Sequence, residues 1–343
     1  MSAPDLSIVI PIYQRGDIIR YTLESVRRAA ADLVVETIIV DDGSPTPIAG
    51  TLDRLAFVPT KLILQSNQGL LYARLTGLAA ATGRYVLFLD SDDLVTADKL
   101  TAQVAAMERG KADVSYTDSS ATLLAGEYDA LTIIPQASSR ATTDAAEFFV
   151  TIQPPPHGPM FRTAYLRSVV ATAFFPPSPL YNPVAEIWFY HNAAPRPGRV
   201  VHVPGPRAII GQHPDARLTN HWERLGVASL AIMEAFARTC PTDTLEAGRA
   251  RQLVGEKAFR AWRRLPRGFS PEFCARTLAV WRKLAVEPQL SCLGGRGFQA
   301  LARLFGPVAA GRLLRQLQNR PYAGSRTMND ADFDALLRTL PPP

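Results

Sequence analysis

The chain has 343 residues, 47% of them apolar and 20% charged, enough to bury a large core and too apolar for a disordered polymer. No stretch reaches the roughly 18 uninterrupted apolar residues of a spanning helix; the nearest, Leu225 to Ala237, contains Glu234. The net charge of +6 is unevenly spread: from His221 onward 19 Lys+Arg face 10 Asp+Glu, whereas residues 1–220 carry 18 against 21.

That asymmetry predicts two regions, 1–220 and 221–343, with different tasks. The basic residues of the rear are not interleaved with stacking aromatics as in single-strand binders, so nucleic acid is not expected. An anionic membrane surface or lipid-linked ligand fits the charge, and so does a solvated surface on ordinary helices. The first apolar run, Leu6 to Tyr13, has no basic flank before it and no small-residue cleavage site after it, which predicts no signal peptide. Cys240, Cys274 and Cys292 are odd in number and far apart, against a disulfide framework or a zinc site. A reduced, cytoplasmic protein is expected.

In chain order, Leu6-Ser7-Ile8-Val9-Ile10-Pro11 predicts a strand and Asp17 to Ala31 a helix. Glu36-Thr37-Ile38-Ile39-Val40 predicts a second strand, ended by the turn residues Asp41-Asp42-Gly43-Ser44-Pro45. Lys61 to Leu64 is a third strand, Leu70 to Ala81 a helix stopped near Gly83, and Tyr85 to Leu89 a fourth strand ending at Asp90. Nearly continuous apolar strands alternating with helices define an α/β fold with a mostly parallel sheet covered on both faces. Residues 110–180 are less regular: Val114-Ser115-Tyr116 predicts a strand and Asp144 to Thr151 a short helix, before the proline-rich 153–159. Beyond His221 the spacing is helical and amphipathic, and Pro341-Pro342-Pro343 reads as a frayed tail. Gly295-Arg296-Gly297-Phe298-Gln299-Ala300 has the letters of a dinucleotide fingerprint but follows no strand, so it is set aside.

Ligands of open parallel sheets bind beyond the carboxyl ends of the strands. Here those ends carry Pro11-Ile12-Tyr13, Asp41-Asp42-Gly43-Ser44 and Asp90-Ser91-Asp92-Asp93. Alone, the second reads as a turn and the third as an N-cap for a helix near Thr96. Together they put two carboxylate clusters at one crevice, where mutual repulsion calls for a cation or hydrogen-bond donors. Oxygen ligands without neighbouring His or Cys suit Mg²⁺ or Mn²⁺, whose coordination a nucleotide diphosphate completes.

Four stretches resemble the family-two glycosyltransferases of the GT-A fold. They are Leu6 to Tyr13, then Ile39 to Ser44, then Asn67-Gln68-Gly69 with Arg74, and finally Gly83 to Asp93. The resemblance covers residues 5–105 and resumes more weakly over 184–217, in Ala185-Glu186-Ile187-Trp188-Phe189-Tyr190 and Gly211-Gln212-His213-Pro214. It implies that Pro11 and Tyr13 line a base pocket, that Asp42 accepts from the base, and that Asn67 and Arg74 face the nucleotide. It also implies that Asp90 approaches the ribose, that Asp92 holds Mn²⁺ or Mg²⁺, and that His213 sits near the diphosphate or metal. The family shows Glu-Asp before an aromatic stretch, the second acid being the catalytic base. Matching Phe189-Tyr190 to that stretch puts Glu186 at the base position and Ala185 at the first acid. Matching Trp188 instead makes Glu186 the first acid and Ile187 the residue in place of the base.

The resemblance thus implies a metal-dependent, inverting transferase moving a sugar from a nucleotide-diphosphate donor to a glycan or lipid-linked acceptor. Polysaccharide or glycoconjugate synthesis of bacterial type is the setting it implies, in the cytoplasm or at the inner membrane face through the basic C-terminal helices. Two rivals compete: a silent nucleotide-sugar-binding or scaffold protein, and a nucleotidyltransferase. The latter lacks its glycine-rich loop, since Pro11-Ile12-Tyr13-Gln14-Arg15 stands after the first strand.

Overall fold

The structure, a computed structural model, describes residues 3–30, 32–214, 221–286 and 288–342. They divide into two compact units, one of residues 3–148, 152–173 and 197–214, the other of residues 149–151, 174–196 and 221–342. The chain enters the second unit twice before residue 221, once with the stretch that carries Glu186.

The first unit is built on a nine-stranded sheet. Its strands are β1 (Leu6–Ile12), β2 (Val35–Asp41), β3 (Lys61–Leu64), β4 (Tyr85–Phe88), β5 (Leu94–Val95), β6 (Val114–Leu123), β7 (Ile134–Pro135), β8 (Pro159–Arg162) and β9 (Val200–Gln212). The order is β3-β2-β1-β4-β8-β6-β9-β5, with β7 paired to β6. β1 to β4 are mutually parallel, as their apolar runs predict, while β8 is antiparallel to both β4 and β6. The helices of this unit are α1 (Ile19–Ala29), α2 (Ala49–Arg54), α3 (Leu70–Ala80), α4 (Lys99–Gly110), α5 (Ala145–Glu147) and α6 (Thr163–Ala171). All seven residues of β1 are buried, and Leu6, Ile8 and Ile10 pack with Ile19, Leu23 and Val26 of α1.

Residues 110–180 hold the largest departure from expectation. β6 runs ten residues rather than three, and Ser115, Thr117, Asp118, Ser120 and Thr122 are all buried in it. Their polarity conceals the strand, but a long pairing with β9 satisfies the backbone and local bonds satisfy most of the side chains, the Thr117 hydroxyl being an exception. Asp118, for example, accepts from Ser139 N (2.8 Å) and Gly205 N (2.9 Å) and lies 3.0 Å from His202 Nε2. The helix expected over 144–151 is α5 followed by a π-helical turn, Phe148–Ile152, closed by Gln153 in the left-handed region. The acids after β4 do not cap the next helix, because α4 starts at Lys99 and Asp93 bonds elsewhere.

The second unit is helical: α7 (Ala185–Ala193), α8 (Trp222–Thr239), α9 (Leu245–Arg264), α10 (Pro271–Leu284), α11 (Leu290–Leu293), α12 (Arg296–Phe305), α13 (Pro307–Gln318) and α14 (Asp330–Arg338). Phe259, Trp262, Trp281 and Phe298 form an aromatic core with ring centroids 4.7–5.8 Å apart. Arg276 and Glu234, each under 8% exposed, cross-link α10 and α8 through paired bonds of 2.8 and 2.7 Å. The end of the chain is more tied than expected, since Arg276 also donates to Pro341 O at 2.6 Å. The discarded glycine motif opens α12 with no strand before it, in keeping with its rejection. No helix among the described residues is long and apolar enough to cross a membrane, and all three cysteines are free.

Candidate active site

Strand order fixes where the candidate residues meet. β1 lies between β2 and β4, all three parallel, with Ile12 beside Asp41 and Val9 beside Phe88. Asp42 therefore leaves the sheet on one side of Tyr13, and Asp90 to Asp93 leave it on the other. Pro11 is buried in β1, while Tyr13, just past its end, is 43% exposed and offers a ring face to a ligand. Both carboxylate clusters open on one edge of one sheet.

The acids have distinct partners. Asp41 accepts from Ser44 N (2.9 Å) and Ile48 N (3.0 Å), which closes the turn into α2. Asp42, 4% exposed, accepts from Gln65 Nε2 (2.7 Å), Gln68 N (2.9 Å) and Gly69 N (2.7 Å). It thereby holds the loop bearing the exposed Asn67. A carboxylate has about four acceptor positions, so three internal bonds leave room for one donor from a ligand. Gly43 is required between the two segments: its φ is +76°, and a Cβ there would lie 2.7 Å from Asn67 N. The resemblance that joins Asp-Gly-Ser to Asn67 thus has a steric cause.

On the other side, Arg74 of α3 is fully buried and donates through Nη2 to Asp90 Oδ1 at 2.7 Å. Burial holds the Asp90 carboxyl above the usual range; Arg74 opposes this, and the charges of Asp93 and Asp92 reinforce it. Asp92 lies 2.9 Å from His213 Nε2 and 3.8 Å from Arg15 Nη2. Asp93 accepts from Gly211 N (3.0 Å) and sits 2.9 Å from Nδ1 of the buried His157. Gly211 must be glycine, because a Cβ would fall 1.9 Å from Asp92 O. Gly211-Gln212-His213-Pro214 is therefore the end of β9 laid across the acidic loop. Residues 215–217 of that stretch lie outside the described residues.

Among the described residues no group of three or more His, Cys, Asp or Glu could by itself hold a metal. Asp92 and His213 are two adjacent donors, a carboxylate and an imidazole, beside Asp90, whose carboxyl is bound by Arg74. A hard divalent ion that keeps waters and takes substrate phosphates as ligands fits such a partial set.

Glu186 stands in the first turn of α7, in the second unit, where the helix N-terminus favours a carboxylate. Ala185 is fully buried, as are Trp188 and Phe189. Sequence reasoning missed the cation near it. Lys257 of α9 donates to Val150 O at 3.0 Å; burial lowers it to about 7, helped by Arg260 and opposed by Glu186. On the same helix as Glu186, burial and the Lys257 charge lower His191 to about 3, against its bond to Ile187 O. Arg15 and Asp93 were also missed as contributors. Both lie inside quoted motifs, but their partners are set by folding and not by spacing.

The sheet order and the acids at its strand tips are those of an α/β fold of the GT-A type. The family model described as "Glycosyl transferase family 2" matches residues 7–166, a little under half of the chain. The match runs well past residue 105, where motif reading stops, and ends before 184–217. The chain is 36% identical over 96 residues to the uncharacterized glycosyltransferase YibD of Escherichia coli, covering 27% of this chain and 28% of that one. It is 32% identical over 113 residues to the succinoglycan biosynthesis protein ExoO of Rhizobium meliloti, covering 33% and 32%. The matched stretch thus spans about a third or less of the length of these curated relatives. Staphylococcus aureus TarS 1–349, crystallised in complex with UDP-GlcNAc, shares the fold at a TM-score of 0.63. There the sequence identity is 17%, with 95% of this chain and 93% of that chain covered.

Proposed function

We propose that the protein is a glycosyltransferase that moves a sugar from a nucleotide-diphosphate donor to a hydroxyl of a glycan or lipid-linked acceptor, in bacterial-type polysaccharide assembly. The observation that carries this reading is the pair of acidic clusters flanking Tyr13 at the carboxyl ends of adjacent parallel strands. The family domain, ExoO's role in succinoglycan biosynthesis and the nucleotide sugar bound by TarS support it.

In this reading the exposed Tyr13 ring stacks on the nucleobase and the remaining acceptor position of Asp42 takes a base N–H. Pro11 and Asn67 shape the pocket wall. Buried Arg74 holds Asp90 for the ribose. Asp92 and His213 hold Mn²⁺ or Mg²⁺, which when bound neutralises the diphosphate leaving group. Glu186 deprotonates the acceptor hydroxyl, and direct displacement inverts the anomeric centre.

A thermal-shift screen of UDP-, GDP-, dTDP- and CMP-sugars with Mn²⁺ tests the reading. A ligand bound only to the folded state raises its melting point. A rise with one class of donor, larger with Mn²⁺ than without, is expected; no rise with any of the four at millimolar concentration contradicts it. Donor binding without turnover over a broad acceptor panel would favour the silent binding protein instead.

A further inference from the structure

The second unit contains a stretch whose charge is wholly one-sided. Residues 288–329 hold six arginines, Arg296, Arg303, Arg312, Arg315, Arg320 and Arg326, and no Asp, Glu or Lys. Two of the six are occupied internally. Arg315 Nη2 donates to Pro266 O at 3.0 Å and its guanidinium lies over the Trp262 ring, while Arg326 pairs with Asp330. Arg296, Arg303, Arg312 and Arg320 are exposed, and none has an ion-pair partner among the described residues.

The same two helices expose large apolar side chains. Leu304 is 74% exposed, Phe305 63%, Leu313 45% and Leu317 73%. α12 and α13 form an elbow around the single residue Gly306, whose φ is +79°. Their inner faces are anchored: Phe298 lies under the Arg263 guanidinium at 4.1 Å, and Gly311 abuts Trp262. Leu313 and Leu317 stand one turn apart on α13 and are both exposed, with Arg312 preceding Leu313 and Arg320 just past the end of the helix.

We propose that the outer face of the α12–α13 elbow lies on an anionic lipid surface, with the four apolar side chains in the acyl boundary and the four free arginines at the headgroups. The combination selects this partner. A nucleic acid would satisfy the arginines and leave the leucines wet. A second copy of the chain would bring two such faces together with like charges opposed. An interfacial helix needs an apolar face flanked by Lys or Arg, and this pair of helices has both. The proposal deepens the reading of a lipid-linked acceptor but is tested without it.

The test is co-sedimentation of the full chain with vesicles of phosphatidylcholine containing a third phosphatidylglycerol, and with pure phosphatidylcholine vesicles. Binding to the anionic vesicles at 50 mM NaCl is expected to weaken at least about tenfold in 500 mM NaCl and on the neutral vesicles. R303E/R312E should weaken it about as much; L304S/L317S should weaken it several-fold, both with unchanged circular-dichroism melts because all four side chains are exposed. R238E/R282E, the same charge change on α8 and α10, should have little effect. No vesicle binding by the unsubstituted chain overturns the proposal, as does equal loss in R238E/R282E, which would mean diffuse charge attraction. An acidic protein that binds the elbow while vesicles do not would likewise overturn it. Calorimetric binding of the nucleotide sugar should be the same in every variant, so a failed membrane contact and a failed transferase reading are told apart.

Discussion

The two units handle charge in opposite ways. In the first, acids gather at strand ends and each is bound to specific donors: Asp41 to two backbone amides, Asp42 to three donors, Asp90 to Arg74, Asp93 to Gly211 N. In the second, one buried ion pair ties helices together while a run of arginines is left facing outward. Charges that are pinned and partly desolvated are suited to recognising one ligand, and charges left mobile and solvated to a broad surface. The contrast also separates what motifs reveal from what only composition reveals.

The sharpest way to break the comparison is to change an acid outside the strand-tip cluster. Glu186→Gln keeps shape but removes the proposed base, so turnover should fall about 10²–10⁴-fold while the donor Kd stays within about twofold. Full activity in this variant would transfer the base role elsewhere. Next in size is the ion pair of the helical unit. Arg276→Met leaves Glu234 buried without its partner and should lower stability by about 3–5 kcal/mol in urea unfolding. A loss below about 1 kcal/mol would mean that water reaches that pair.

The pH dependence sharpens the same contrast. His191 is neutral when folded and ordinary when unfolded, so the unfolded chain binds more protons between about 3 and 6.5. Stability from this group is full above 6.5 and is lost as pH falls towards 3. His191→Leu should flatten the stability–pH curve over that window, read by thermal melts. The smallest effect concerns the exposed ring: Tyr13→Ala should weaken donor binding by about 1–3 kcal/mol, the worth of one base stack, with the melting point of the free protein unchanged.

Much of the candidate site is legible because apolar strands announce where they end, and Asp42, Asp90 and Asp92 stand at those ends. The roles of Gly43 and Gly211 were hidden, since each is glycine for the sake of a backbone atom far away in the chain. Asp93 and His157 meet although they lie 64 positions apart in the chain, which no spacing rule encodes. β6 is longer than the sequence suggests because its buried Ser and Thr residues look like surface; pairing with β8 and with β9, whose register shifts opposite Thr117–Asp118 and Asp118–Ser119, makes them interior. In the helical unit, amphipathic spacing gave the helices but not which arginines face solvent. Glu186 is a candidate by motif resemblance alone, and Lys257, 71 positions later, has no signal in the sequence.

The central claim is that Asp92 and its neighbours bind a divalent ion together with a sugar-nucleotide diphosphate. Calorimetric titration of the donor found by the thermal-shift screen tests it most directly, with and without Mn²⁺, on the unsubstituted protein and on Asp92→Asn. Binding that tightens at least about tenfold with Mn²⁺ in the unsubstituted protein, and loses that gain in Asp92→Asn, is the predicted result. Equal affinity in all four titrations would contradict it.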